Sequence, residues 1–141
     1  LILHGGGEER DELWIFKIDA GKWLKMNPSV FSPKGENPPV CRREGVYIPG
    51  EDVFFTCGYS AEKRNEPGVY VYRVSENAWH RVNISPPPGE DMRSIVGQNR
   101  AITYDPKHNL VLMVLGERRG NVGKAVAYAL RYNHRKVDLA K

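Results

Sequence analysis

The sequence has 141 residues, with 14 glycines, 10 prolines and a formal net charge of +4. The length fits one domain, and the glycine and proline content predicts a folded chain that is rich in turns. Because basic and acidic residues are interspersed, we expect no nucleic-acid partner. Because no apolar stretch approaches ~20 residues, we expect no membrane span.

The first part of the chain predicts short strands rather than helices, because its apolar residues alternate or form short runs. Strands are predicted at residues 1–4, 13–18 and 22–26. Glycines follow the first strand, and residues 19–21 have the composition of a tight turn. Residues 27–40 contain four prolines and predict a long connection without a strand.

The rest of the chain predicts seven further strands. In chain order these are residues 44–48, 53–57, 69–74, 78–82, 101–104, 110–115 and 125–132. Pro49 and Gly50 mark a tight turn between the first two, and a hairpin centred on Gly50 and Glu51 places Cys57 opposite Glu44. A long connection covers residues 83–99, and only a weak strand is predicted after the last one.

The strands recur at a fixed distance along the chain. Trp14, Tyr70 and Val126 stand 56 residues apart, whereas Gly58 and Gly116, which end the preceding strands, stand 58 apart. A period of this length indicates an array of supersecondary units whose length varies in the loops. The predicted units are residues 1–26 (partial), 41–82 (complete) and 99–141 (with a degenerate last strand).

Both faces of the repeated strands are apolar: Tyr70 and Tyr72 lie on one face of their strand and Val71 on the other. A sheet with one solvated face would show polar residues there, whereas sheets stacked face to face need two apolar faces. The pattern predicts an all-β fold, a β-propeller built from four-stranded antiparallel blades. We expect the tyrosines to pack between blades, beside Phe16 and Tyr128.

The number of units predicts an incomplete ring. Between two and three blades are present, and propellers have four to eight. We therefore expect that the chain is a fragment of a larger propeller. Its end blades would expose apolar faces, which predicts possible self-association.

The unit resembles the kelch repeat. In kelch blades an Arg-containing inner strand leads to an apolar strand that ends in paired glycines, followed by a strand with a central aromatic residue and a last strand with Trp. Gly5 and Gly6 match the paired glycines, Trp23 and Trp79 match the last-strand Trp, and Arg135 stands where a third Trp is expected. The resemblance covers essentially the whole chain and implies a kelch-type propeller.

One detail resembles the bacterial long-repeat variety of kelch units. Tyr104-Asp105-Pro106 follows Arg100, as in that variety, which implies an exported protein in a bacterium. The sequence begins at Leu1 without Met and inside a unit, from which we expect a piece of a longer protein. Its apolar run of three residues is too short for a signal peptide.

The predicted blades separate long loops from tight turns. Because strand direction alternates, the loops at residues 8–12, 27–42, 59–68, 83–99 and 117–124 are expected on one rim, here called the loop rim. Binding usually resides on long loops that a rigid scaffold supports, so we predict the ligand site there. The candidate contacts are Arg42, Arg43, Tyr59, Lys63, Arg64, Asn99, Arg100, Arg118 and Arg119.

The arginines of the loop rim have two interpretations. Arginine recognises carboxylates, phosphates and sugars by forked hydrogen bonds. Acidic residues share the same loops, however, so ion pairs within the chain are the alternative. Arg43 and Arg100 stand at equivalent positions before the innermost strands, where they either bond to carbonyls of a neighbouring blade or contact a ligand.

No catalytic or metal-binding motif is recognisable, so we expect no cofactor and no metal site. The four histidines, His4, His80, His108 and His134, share no metal-ligand spacing and are predicted at the surface or at strand ends. Cys41 lies three residues from Glu44, the predicted neighbour of Cys57, and this distance of roughly 10 Å predicts two free thiols.

Three functional hypotheses follow. The first is a binding or interaction scaffold whose loop rim engages a protein or a glycan. The second is a fragment of a kelch-propeller enzyme, similar to galactose oxidase or sugar-modifying, whose active site lies mostly in other blades. Cys57 and Tyr59 are close in sequence, but no pair of histidines on the loop rim completes a copper site like that of such oxidases. The third is a purely structural module.

Overall fold

The computed structural model describes residues 1–5, 12–31, 44–59, 67–90, 92, 100–116, 125–133 and 136, with the backbone alone at Val30, Phe31, Tyr59 and Arg100. Within these ranges the chain forms strands arranged in three sheets. The prediction of an all-β fold is therefore confirmed.

The first sheet contains β1 (Ile2–His4), β2 (Leu13–Lys17) and β3 (Lys22–Met26), in that order. The central sheet has the order β4-β8-β7-β6-β5, with β4 (Ser29–Phe31), β5 (Gly45–Ile48), β6 (Val53–Tyr59), β7 (Pro67–Arg73) and β8 (Ala78–Val82). The third sheet has the order β11-β10-β9, with β9 (Arg100–Asp105), β10 (Leu110–Gly116) and β11 (Ala125–Leu130). A 3-10 turn, Pro49–Glu51, joins β5 to β6.

The central sheet corrects the expectation of four antiparallel strands. Strands β5 to β8 pair antiparallel in sequence order, but β4 adds a fifth strand that runs parallel to β8. The backbone N–H of Ser29 donates to the carbonyl of Asn77, 3.0 Å away. The sequence analysis placed these residues in a connection, because a three-residue strand that pairs with a distant one leaves no periodic pattern.

The tight turns depend on polar residues in the left-handed conformation. Asn77 (φ 48°) follows β7 and Asn109 (φ 54°) follows β9. Each accepts a hydrogen bond at Oδ1 from a tyrosine five residues earlier: Tyr72 at 2.9 Å and Tyr104 at 3.1 Å. The tyrosine therefore ties the end of its strand to the turn that follows.

The three sheets stack face to face, with one core on each side of the central sheet. We call the face that carries Trp14, Tyr70 or Tyr128 the front of its sheet, and the other face the back. The back of the first sheet, at Leu13 and Ile15, packs on the front of the central sheet. The back of the central sheet packs in turn on the front of the third.

The core on the front of the central sheet is aromatic. Phe54, Tyr70, Tyr72 and Trp79 are all nearly or completely inaccessible to solvent. The core on the back is mostly aliphatic. It contains Ile48, Val53, Phe55, Cys57, Val69, Val71 and Val82 of the central part and Ile102, Val111, Met113 and Tyr132 of the third. The prediction that both faces of β7 are buried is confirmed.

The expected aromatic row is wrong for both Phe16 and Tyr128: Tyr72 belongs to the core on the front of the central sheet, whereas Tyr128 packs on the core on its back. Tyr72 does not lie beside Phe16, because Phe16 is on the front of the first sheet, where its ring packs on Trp23 with centroids 5.2 Å apart. Ile15, the neighbour of Phe16 on the opposite face, belongs to the same core as Tyr72. The aromatic residues keep equivalent positions, but a whole sheet separates them.

The glycines Gly58 and Gly116 are not equivalent in the structure. Tyr72 pairs across strands with Phe54, and Tyr128, 56 residues later, pairs with Met113. The residues of β6 and β10 that correspond are therefore 59 positions apart, whereas the glycines are 58 apart. Because positions alternate between faces, this difference of one residue puts Gly58 and Gly116 on opposite faces of their sheets.

Candidate functional site

Most residues of the predicted site lie outside the described residues. These are Arg42, Arg43, Lys63, Arg64, Asn99, Arg118 and Arg119. Tyr59 and Arg100 are described through their backbone. The positions of the other candidates stay a prediction, and the geometry of the site is defined by the strand ends that support it.

Two of the predicted loops are closed by paired residues. Tyr59, the last residue of β6, pairs with Pro67 at the start of β7, so this pair closes the segment 60–66. Gly116 pairs with Ala125 and closes the segment 117–124 in the same way. Rigid antiparallel strands therefore support both segments at their two ends.

Arg100 lies close to one of these closures. It is the first residue of β9 and pairs with Leu115, the neighbour of Gly116. The register therefore brings Arg100 to the same end of the third sheet as the segment 117–124. We call this end of each sheet, which includes Gly5, Tyr59 or Gly116, its loop end, and the opposite end its turn end.

The turn ends of the central and third sheets lie together. Tyr132 follows β11 at the turn end of the third sheet and is 2 % exposed. Burial raises the pKa of its hydroxyl, and the negative charge of Glu51 raises it further. The positive charge of Arg73 lowers this pKa, and the negative charge of Glu76 raises it.

The ring of Tyr132 lies 6.2 Å from that of Phe55, and Cys57, nearer the loop end of β6, contacts Met113, nearer the loop end of the third sheet. The loop ends of both sheets therefore point to the same side.

The first sheet contacts the central sheet through His4. His4 is one residue from the loop end of its sheet, and its ring lies 4.6 Å from that of Trp79 and 6.4 Å from that of Phe54. Both partners are one residue from the turn end of the central sheet. Cys57 of the central sheet contacts Met113 of the third at the equivalent positions, so the two junctions have the same offset.

Asp52 joins several elements at the turn end of the central sheet. Its Oδ1 accepts a hydrogen bond from the Tyr47 hydroxyl at 2.8 Å, and its Oδ2 accepts one from the Ser75 N–H at 3.0 Å. Burial opposes ionisation, but these hydrogen bonds and the charge of Arg73 bring the pKa of Asp52 below its ordinary value. Burial, aided by Asp52, raises the pKa of Tyr47 to about 12.

The histidines described here serve the fold. His80 is a buried residue in the middle of β8, which corrects its predicted position at the surface or at a strand end, and its Nε2 lies 2.9 Å from the Glu76 carboxylate. Nδ1 of His108 lies 2.6 Å from the Asp105 carboxylate within one tight turn. Across the described ranges, no group of three or more His, Cys, Asp or Glu side chains is arranged to hold a metal ion.

The cysteine prediction is confirmed for Cys57, which is a free and fully buried thiol. Gly45 pairs with Thr56, so Cys57 lies level with Glu44, as the predicted hairpin centre requires. The Sγ atom of Cys57 is 3.7 Å from Sδ of Met113 in the third sheet, which makes it part of the core. Cys41 lies outside the described residues.

A second candidate surface is the front of the first sheet, where an end blade was expected to expose apolar residues. Large apolar side chains are exposed there, among them Leu3 and Trp23. Trp23 stands 56 residues before the buried Trp79.

Comparisons of the chain with protein-family models, curated proteins and solved structures returned no match. Within the described part of the chain, no helix has the length and apolarity needed to cross a membrane.

Proposed function

We propose that the chain is part of a kelch-like β-propeller and that it acts as a binding scaffold, with a protein or a glycan as ligand on the loop rim. The two-sided burial of the central sheet carries the proposal: Val71 and Tyr72, adjacent in β7 and on opposite faces, are both 0 % exposed. Stacking of antiparallel sheets through both faces at a regular period is the arrangement that a propeller requires.

The loop ends of the central and third sheets support the choice of surface. Paired strand ends there flank the segments 60–66 and 117–124, whose sequence includes Lys63, Arg64, Arg118 and Arg119. Guanidinium groups on rigidly supported loops favour ligands with carboxylates or adjacent hydroxyl groups. The turn end, by contrast, uses its polar groups in bonds within the fold.

The experiment screens the purified chain against a glycan array and a displayed-peptide library. The ligands found are then titrated with the double variants Lys63→Ala/Arg64→Ala and Arg118→Ala/Arg119→Ala. The matched control, Lys22→Ala/Lys107→Ala, removes the same charge from exposed tight turns.

We expect at least tenfold weaker binding for the loop-rim variants and unchanged binding for the control. Equal affinities for all three double variants would contradict the proposed surface. Failure to bind any glycan or peptide would contradict the binding function.

A further inference from the structure

Both outward faces of the stack expose large apolar side chains. On the front of the first sheet, Leu3 is 52 % and Trp23 43 % exposed, and on the back of the third sheet Val114 is 46 % exposed. Contiguous apolar surface at opposite ends of a stack marks interaction sites rather than ordinary protein surface.

The front of the first sheet repeats the front of the central sheet. Phe16 pairs across strands with Trp23, with ring centroids 5.2 Å apart and an interplanar angle of 51°. Tyr72 pairs with Trp79 in the same way, at 5.4 Å and 52°. The second pair is completely covered by the first sheet. The first pair has the same geometry on an outward face.

The back of the third sheet repeats the back of the central sheet. Phe55 pairs with Val71, and Val114 pairs with Ala127 at the equivalent positions. Phe55 and Val71 are 0 % exposed because the third sheet covers them. Val114 and Ala127 are exposed, and the smaller side chains leave room for bulky rings.

The two junctions inside the chain use the same positions. His4 of the first sheet contacts Phe54 of the central sheet, and Cys57 of the central sheet contacts Met113 of the third. Cross-strand pairing places His4 and Cys57 at equivalent points of β1 and β6, and Phe54 and Met113 at equivalent points of β6 and β10. A back-to-front junction is therefore a repeated property of this sequence.

We propose that the front of the first sheet packs on the back of the third sheet of a second copy of this chain. The partner is a second copy because each outward face matches, position by position, one side of a junction that the chain already forms twice. The back face of β10 and β11, at Leu112, Val114, Ala127 and Ala129, has no charged side chain to oppose aromatic rings.

Two such junctions close a dimer of six sheets, which falls within the four to eight blades of known propellers. The interface is head to tail, so each copy uses two different surfaces. This arrangement does not depend on the ligand proposed for the loop rim, and it is tested separately.

The test is sedimentation equilibrium of the chain and of three variants. Leu3→Arg blocks the front of the first sheet and Val114→Arg blocks the back of the third. The matched control is Val126→Arg, because Val126 is also 46 % exposed but lies on neither outward face. Near-ultraviolet circular dichroism verifies folding, and Trp23→Lys and Ala127→Arg replace any variant that fails to fold.

We expect the unmodified chain and Val126→Arg to sediment as dimers of the 16.0-kDa chain. Each blocked variant alone should be a monomer, and their equimolar mixture should form a dimer through the one junction that both leave intact. A monomeric parent chain, a dimer of either blocked variant alone, a mixture that stays monomeric, or an open series of oligomers would overturn the proposal.

Discussion

The carboxylate of Asp52 connects separate parts of the turn end of the central sheet. It connects β5 to the turn after β7 through its hydrogen bonds with Tyr47 and Ser75, and Asp52 has a left-handed backbone conformation, with φ of 52°. Asparagine tolerates this conformation. Asp52→Asn therefore removes the charge without adding backbone strain.

The lowered pKa of Asp52 predicts a dependence of stability on pH. A group whose pKa is lower in the folded state stabilises the fold above its unfolded pKa, and this contribution disappears as the pH falls through both values. We expect Asp52→Asn to be less stable than the parent at neutral pH, with the difference shrinking toward pH 3. Urea unfolding of both proteins at several pH values measures this difference in stability. A difference that stays constant would show that the carboxylate charge is not the cause.

Tyr72 combines a buried ring with a hydroxyl that bonds to Asn77. We expect Tyr72→Ala to lower the free energy of unfolding by ~3 to 5 kcal/mol, because it empties a large buried site. Tyr72→Phe removes the hydrogen bond alone and should cost about 1 kcal/mol. Urea unfolding of both variants separates the two contributions. A loss below ~1 kcal/mol for alanine would contradict a tightly packed ring.

At the scale of elements, the turns after β7 and β9 share one device, a left-handed asparagine that accepts a bond from the preceding tyrosine. Asn77 makes a further contact, because its Nδ2 donates to the carbonyl of Asn27 at 3.1 Å. It therefore connects the turn of the central sheet to the chain that leaves the first sheet and enters β4.

Substitutions of Asn77 separate the backbone requirement from the side-chain bonds. Asn77→Gly keeps the left-handed conformation and should cost about 1 to 2 kcal/mol for the lost hydrogen bonds. Asn77→Ala loses the same bonds and adds backbone strain, so it should cost about 1 kcal/mol more. Thermal and urea unfolding measure both. Equal stability of the two variants would contradict the predicted backbone strain in Asn77→Ala.

The strands themselves were largely predictable from the sequence, and their exact register was not. Alternating apolar residues and turn signals predicted β3 and β8 at their observed bounds. The alignment of Gly58 with Gly116 was wrong by one residue, because corresponding residues of β6 and β10 are 59 positions apart. In a continuous apolar run such as β10, the sequence allows either face to be the inner one. Only the cross-strand pairing decides which face lies toward the core.

The candidate site could be predicted only in outline. Residue type and loop length predicted the arginines, and their place in a site stays a prediction. The strand register places the backbone of Arg100 at the same end of the third sheet as Gly116 and Ala125. The contact between His4 and Trp79 was not predictable, because it results from packing between sheets rather than from any local pattern.

At the scale of the whole molecule, the central sheet shares one core with the first sheet and another with the third. The central sheet is covered on both faces, and each outer sheet on one. Stability in such arrays comes from each unit and from its junctions with adjacent units. The central sheet is therefore expected to be the most stable part.

Hydrogen exchange should show this gradient. We expect the amides of β6 and β7 to exchange most slowly and those of β2 and β11 faster, because opening an outer sheet breaks one junction and opening the central sheet breaks two. Exchange is measured by mass spectrometry on the Leu3→Arg variant. This variant is expected to be monomeric, so no second copy protects the outer sheets. Uniform protection of all three sheets would show that the stack opens only as a single unit.

The sequence by itself determined the all-β class, the turns and the period that relates β2, β7 and β11, because these depend on side-chain alternation and on local backbone preferences. The tertiary structure alone decided the parallel strand β4, the faces of β10 and the contact of the first sheet with the central sheet at His4. These features depend on pairing and packing between residues that are distant in the sequence. The local pattern of apolar residues is compatible with more than one such pairing. The tertiary structure also decided that Trp79 is buried while its counterpart Trp23 is exposed.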